Sequence, residues 1–220
     1  MTTTVITGAN RGIGLALAEK YSSLGHRVFA LCRNSSPALE SLNLTVIKDI
    51  DVATEHGLQQ MQQALANVSI DILINNAGIF SNETLDDLNS QRIMQQFQVN
   101  ALAPLLVTER LKAQLSSHAK LAFITSRMGS ISDNSSGAYY GYRMSKAALN
   151  AAAMSLARDL ASSGVSVGIY HPGWVQTEMV NNTGDITATE AAARISQLIE
   201  AQNLSNTGSF KHSNGESLPW

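Results

Sequence analysis

Tyr142-Arg143-Met144-Ser145-Lys146 places a phenol and an amine at an i, i+4 spacing, on one face of a helix. Tyr142 is the only tyrosine with a lysine so placed. A nearby ammonium stabilises phenolate and draws a tyrosine below its usual pKa of about 10. Such a tyrosine can hand a proton to a carbonyl oxygen as it becomes an alcohol. Ser126 follows the apolar run Leu121-Ala122-Phe123-Ile124-Thr125. Its hydroxyl can donate to the same oxygen, although a serine in this place, read alone, is a turn residue. Asn100, between two helical runs, reads alone as a helix cap.

A second constellation opens the chain. Gly8-Ala9-Asn10-Arg11-Gly12-Ile13-Gly14 lies between a short β-branched run and a helical run. Strand, glycine turn and helix form a phosphate cradle: the glycines let backbone approach a pyrophosphate, and the helix N-terminus offers free N–H groups and partial positive charge. The spacing is G-x-x-x-G-x-G rather than the general G-x-G-x-x-G. Where a carboxylate would hold a ribose 2′-hydroxyl, this chain has Cys32 and then Arg33. A guanidinium suits a 2′-phosphate, so Arg33, helped by Arg11, predicts NADP rather than NAD.

The elements that must position these groups alternate. Strands are expected at 2–6, 27–32, 44–47, 70–74, 121–125 and 165–170, with the segment around Phe210 closing the sheet. Helices are expected from Leu15 towards Gly25 and over 54–66, about 85–98, about 101–116, about 142–162 and 188–201. Near-continuous apolar strands joined by helices imply an α/β fold: a doubly wound parallel sheet, the Rossmann fold, as one domain spanning 1–220. Ligands of such a sheet bind at the carboxyl ends of its strands.

In order along the chain stand Thr7-Gly8-x3-Gly12-x-Gly14, Asp51-Val52, Asn75-Asn76-Ala77-Gly78, Asn100, Ser126, Tyr142-x3-Lys146 and Pro172-Gly173-x3-Thr177. This ordered set resembles the short-chain dehydrogenase/reductase family. The stretch from Ser126 to Tyr142, His171-Pro172-Gly173-Trp174 and Leu218-Pro219-Trp220 looks like its branch of C-factor and Sniffer-type carbonyl reductases. The resemblance implies that Tyr142 donates or accepts the proton. Lys146 then lowers the Tyr142 pKa and binds the nicotinamide ribose, Ser126 orients the carbonyl, and Asn100 helps hold a relay water. It further implies that Asn76, Ala77 and Gly78 support the inner ribose and that Asp51 and Val52 meet the adenine. Pro172, Gly173, Val175 and Thr177 would line the nicotinamide carboxamide. The chain departs from many relatives in a slightly longer gap from Ser126 to Tyr142, a short connection from Cys32 to Leu44, and a compact segment from Gln176 to Thr187.

The expected activity is NADPH-dependent reduction of an aldehyde or ketone. The rival is a nucleotide-binding signalling protein of C-factor type whose catalysis is incidental. An extended-type epimerase or dehydratase would need a larger C-terminal substrate domain than the residues after Thr177 provide. Met128, Tyr139, Trp174, Met179 and Val180 flank the motifs and predict an apolar substrate. Charged residues make up 15% of the chain and the formal net charge is −2, with no basic run for nucleic acid. No stretch is apolar enough to span a membrane. The single cysteine fits a reducing cytoplasm. His26, His56, His118, His171 and His212 are scattered without ligand-like spacing, so no metal site is expected. Small residues Met144, Ala148, Ala151 and Ser155 on the far face of the Tyr142 helix, with Leu102, Leu105, Leu106 and Leu111 before it, predict a homodimer or homotetramer.

Overall fold

The computed structural model describes residues 1–220. Seven parallel strands form one sheet in the order β3-β2-β1-β4-β5-β6-β9. They are β1 (Thr3–Thr7), β2 (Arg27–Leu31), β3 (Thr45–Ile47), β4 (Ile70–Asn75), β5 (Leu115–Ile124), β6 (Ser166–His171) and β9 (Ser209–His212). Helices α1 (Gly12–Ser23), α2 (Pro37–Glu40) and α7 (Ala188–Glu200) cover one face. Helices α3 (Glu55–Ala64), α5 (Ala103–Leu111) and α6 (Tyr140–Asp159) cover the other, with α4 (Ser90–Phe97) packed on α6.

The two cores follow from strand alternation. Val5, Phe29, Leu31, Leu73, Leu121, Phe123, Val167 and Ile169 point towards Leu58, Met61, Val107, Leu149 and Ala153. Their neighbours Ile6, Val28, Ala30, Ile72, Ile74, Ala122, Ile124 and Tyr170 point towards Leu17, Tyr21, Leu39, Ile195 and Ile199. Because every strand runs the same way, all carboxyl ends open on one edge, and the site is there.

The expected doubly wound fold is found, and several boundaries move. The helix expected from about residue 85 starts at Ser90, because the Asn89 side chain accepts the Arg92 N–H at 2.9 Å and caps it there. The helix expected to reach 116 ends at Leu111. A short turn intervenes, and β5 already begins at Leu115, where Ser116 Oγ donates to Asp71 Oδ1 on β4 at 2.9 Å. Asn100 caps nothing. It lies inside a π-helical turn, Gln98–Leu102, that joins α4 to α5 without a break. The short connection after Cys32 holds only α2. Two further short strands, β7 (Val175–Gln176) and β8 (Ile186–Thr187), pair in parallel and close the compact segment before α7.

Of the faces expected to be free for assembly, Met144, Ala151 and Ser155 are exposed, and Ala148, Leu102, Leu105 and Leu106 are half-buried. Leu111 is not among them: it lies in the core under the sheet. No helix is long and apolar enough to cross a membrane.

Candidate active site

A cleft of about 1660 Å³ runs along the carboxyl edge of the sheet, and every candidate residue of the sequence motifs lines it except Asn100. The glycine loop forms one end. Gly8 has φ +65°, and a Cβ there would sit 2.8 Å from Ala77 Cα; at Gly14 a Cβ would meet the Gly8 carbonyl at 2.2 Å. No side chain fits either place. The loop is braced from β4: Thr7 Oγ1 accepts the N–H groups of Asn76 and Ala77 at 3.0 and 3.1 Å. Asn76 Nδ2 donates back to the Thr7 and Gly8 carbonyls at 3.0 and 3.1 Å. The Asn76 side chain therefore shapes the loop from behind. Arg11 enters α1 in extended conformation with no side-chain cap, so the first N–H groups of the helix remain available for an anion.

The charges around this end differ from the expectation in one respect. Arg11 is paired across the cleft with Glu178. Arg33 is exposed and has no carboxylate partner. Cys32 is buried, its thiol turned to the Ile47 carbonyl. Asp51 Oδ1 accepts the Ala53 N–H at 3.0 Å, holding the turn that presents Val52 to the cleft. At the far wall, Gly173 has φ +97° and Thr177 approaches Gly12, whose Cβ would lie 3.3 Å from Thr177 Cγ2.

Ser126, Tyr142 and Lys146 meet at the middle. Ser126 is 6% exposed, and its Oγ accepts the Met128 N–H at 3.1 Å, which leaves its own proton free to donate. The Tyr142 phenol interacts with Ser126 and is packed edge-on against Phe80, ring centroids 5.0 Å apart. Burial pushes its pKa up to about 12, only partly offset by Ser126. The ammonium of Lys146 was expected to lower the tyrosine. Instead Lys146 is itself buried, and burial draws its pKa down to about 8. Its Nζ donates to the Ile124 carbonyl at 2.9 Å and stands 5.8 Å from the Tyr142 ring centre. In the protein alone, desolvation sets the direction, and Tyr142 is a neutral phenol.

Asn100 lies behind these groups, fully buried. Its Oδ1 accepts the Ile79 N–H at 2.8 Å, and its Nδ2 donates to the Ile79 carbonyl and Ser145 Oγ at 2.9 and 3.0 Å. Both amide hydrogens and one acceptor position of the side chain are thereby engaged. Met128, Tyr139, Trp174, Met179 and Val180 all line the cleft rather than the core. Two of the scattered histidines do meet: His171 and His212 stack edge-on, 4.9 Å apart. Burial first and His212 second hold His171 at a pKa of about 3, as a neutral ring. No group of three metal-ligating side chains exists.

Residues 2–187 match the family described as short chain dehydrogenase. The chain belongs to that family. Over its whole length, and the whole of the relative, it is 32% identical to 1-hydroxy-2-glutathionyl-2-methyl-3-butene dehydrogenase of Rhodococcus sp. strain AD45. It is 38% identical to the C-signal of Myxococcus xanthus, over 69% of this chain and 93% of that one. Its fold is similar to the NADPH-bound carbonyl reductase from chicken fatty liver, at a TM-score of 0.89 and 27% identity, covering 100% of this chain and 99% of that one. The chain is thus a short-chain oxidoreductase, with relatives on both the C-factor and the carbonyl-reductase sides of the branch that its sequence resembles.

Residues missed from sequence are Phe80, Glu83, Gln96 and Ser145, all of which contact the motif residues or the helix that carries them. A visible signal existed for one of them: Gln96 precedes Asn100 by one helical turn, on the same face.

The lowered Lys146 pKa has a consequence for stability. Between pH 8 and the ordinary lysine range, the unfolded chain holds a proton that the folded chain has released. Stability therefore carries the full burden of the buried ammonium below pH 8 and regains it as pH rises above 8. Denaturant unfolding of the cofactor-free protein is expected to show wild type gaining on Lys146→Met from pH 8 to 10. A constant difference across that range would place the Lys146 pKa elsewhere.

Proposed function

We propose that the chain is an NADPH-dependent reductase of aldehyde or ketone carbonyls, a single cofactor-binding and catalytic domain. One observation carries this reading: the Ser126 O–H and a neutral Tyr142 phenol converge beside buried Lys146, at the carboxyl edge that faces the glycine cradle. The residues fit NADP(H). Gly8, Gly12, Ile13 and Gly14, with Asn10, leave room and N–H groups for the pyrophosphate. Unpaired Arg33 suits the 2′-phosphate, and Asp51 and Val52 wall the adenine side. Ala77 and Gly78 border the inner ribose, and Pro172, Gly173, Val175 and Thr177 border the carboxamide. When bound, the cofactor supplies the hydride to the carbonyl carbon.

The chain's own residues do the rest. Ser126 donates to the carbonyl oxygen and fixes its position. Tyr142 gives that oxygen its proton, and a pKa raised by burial keeps the proton in place until it is needed. Lys146 steadies the resulting phenolate and holds the nicotinamide ribose, and Asn100 helps hold a relay water that returns the proton. Phe80, Met128, Tyr139 and Trp174 exclude water and favour an apolar substrate. A signalling protein with incidental catalysis would not need this convergence. The unpaired Cys32 fits the reducing cytoplasm.

Tyr142→Phe keeps the ring's packing and removes the proton donor, so NADPH-linked reduction of an aldehyde panel is expected to fall by orders of magnitude with NADPH binding retained. Ser126→Ala is expected to cost about a hundredfold in kcat, as for the loss of an oxyanion donor. Near-normal turnover of Tyr142→Phe on any good substrate would refute the mechanism.

Fluorescence titration is expected to give a lower Kd for NADPH than for NADH, with the preference reversed in Cys32→Asp/Arg33→Ala. Equal Kd values in wild type would remove Arg33 from the cofactor site.

Assembly as a homodimer or homotetramer rests on the exposed faces of α4 and α6, where Met94, Phe97, Met144 and Ala151 lie open. Sedimentation is expected to give a dimer or larger at micromolar concentration, split by Ala151→Arg. A wild-type monomer would mean that this face joins nothing.

A further inference from the structure

Glu83 is a carboxylate with no exposed surface, in the loop after β4, and the chemistry above does not use it. It is held by donors from three elements. Gln96 Nε2, on α4, donates to Oε1 and Oε2 at 3.2 and 3.1 Å, and Ser81 Oγ donates to Oε1. The Gly141 N–H, in the first turn of α6, donates to Oε2 at 3.3 Å. The Glu83 carbonyl also accepts the Tyr139 N–H at 2.7 Å. Arg92 Nε stands 3.9 Å from Oε1.

Helix α6 needs this partner. Its N-cap, Tyr139, is left-handed at φ +54° and gives no side-chain cap. Its first N–H groups would otherwise lack acceptors, and a negative charge is favoured at that end. Glu83 supplies both, one residue before Tyr142. The helix is seated close: a Cβ on Gly141 would meet Gln96 Nε2 at 2.3 Å and Glu83 Oε2 at 3.0 Å.

The same carboxylate fixes the loop that carries Phe80. Gln96 Oε1 accepts the Ser81 N–H at 3.0 Å, while Asn100, one turn further on, binds both backbone groups of Ile79. Phe80 is therefore stitched on either side, and its ring meets Tyr142 at 77° and Tyr139 at 34°. Glu83 thus holds the helix start directly and the Phe80 loop on one side, through Ser81 and Gln96, with Asn100 holding the other side.

We propose that Glu83, with Gln96, is the positioning residue that sets Tyr142 against the substrate oxygen, by capping α6 and fixing Phe80. The inference rests on the reductase reading, in which Tyr142 is the proton donor. Misplacement of a reacting group by about 1 Å can cost about a hundredfold in rate.

The test compares Glu83→Ala, Glu83→Gln and Gly141→Ala with wild type. It measures kcat and KM for an aldehyde that wild type reduces, NADPH Kd, and the isotope effect with NADPH deuterated at the transferred position. Glu83→Ala is expected to lower kcat by roughly tenfold to a hundredfold, with NADPH Kd unchanged and a larger isotope effect on kcat. Glu83→Gln, whose amide oxygen still accepts the Gly141 N–H, is expected to restore most of the rate. Gly141→Ala pushes on the Gln96 and Glu83 side-chain ends and, at 3.1 Å, on the Ile93 Cα of α4; it is expected to lose rate in the same way, and with Glu83→Gln it decides the matter if Glu83→Ala does not fold. Unchanged kcat in folded Glu83→Ala or in Gly141→Ala overturns the proposal. So does a parallel loss of NADPH affinity that Glu83→Gln fails to restore. Tyr142→Phe in the same assay separates the two readings: its inactivity beside a normal Glu83→Ala refutes positioning alone, and its activity refutes the reductase chemistry beneath it.

Discussion

The structure is organised around an ammonium that has been taken out of water. Lys146 is buried, has no carboxylate partner, and has one hydrogen bond, to the Ile124 carbonyl at the end of β5. An isolated buried cation is unfavourable, and the protein answers by drawing its pKa down to about 8. Such a group persists only where its surroundings are held firmly enough to deny it a route to solvent. The surroundings here are the carboxyl ends of β4 and β5, the π-helical turn at Asn100, and α6. A cluster of 24 buried residues running through β4, β5, α5 and α6 holds those elements together.

Firmness at the sheet edge comes in part from side chains that bind backbone groups just past the strand ends. Thr7 and Asn76 bind β1 to β4 through four hydrogen bonds, all donated from the β4 side: two from backbone to the Thr7 hydroxyl and two from the Asn76 amide to backbone carbonyls. Asn100 repeats the device between the π-helical turn and Ile79. In each case a short polar side chain satisfies backbone groups just past a strand end, where the ladder has stopped and water has been excluded. The cleft floor is thereby fixed before any ligand arrives, which reduces the ordering that binding requires.

Much of this was legible in the sequence, for identifiable reasons. Strand and helix alternation survives in local apolar patterning, and the residues lining the cleft sit next to Gly, Pro or a strand end, where one-dimensional signals are strong. What escaped depends on contacts between distant segments. Arg11 is neutralised by Glu178, which lies 167 positions away. Asn100 looks like a cap until the π-helical turn shows that no helix starts there. The early start of β5 follows from pairing with β4, and the side chains at 115–117 carry no periodicity to announce it. The direction of the Tyr142 pKa is the plainest case: spacing reveals the nearby lysine, and only the fold reveals that burial, opposed by Ser126 alone, sets the direction.

The cleft separates two electrostatic tasks. At the glycine end, the free N–H groups of α1 and unpaired Arg33 leave positive potential for an anion, while the Arg11–Glu178 pair is exposed, ties the loop to the far wall, and adds little charge. At the catalytic end, Phe80, Met128, Tyr139 and Trp174 stand among polar residues, Arg127 is paired with Asp133 at 2.7 Å, and His171 is kept neutral by burial. Burial at the reacting groups themselves strengthens the Ser126 hydroxyl dipole. It also raises the Tyr142 pKa, so one property of the environment both sharpens the hydrogen bond to the substrate oxygen and keeps the proton on the phenol that must deliver it.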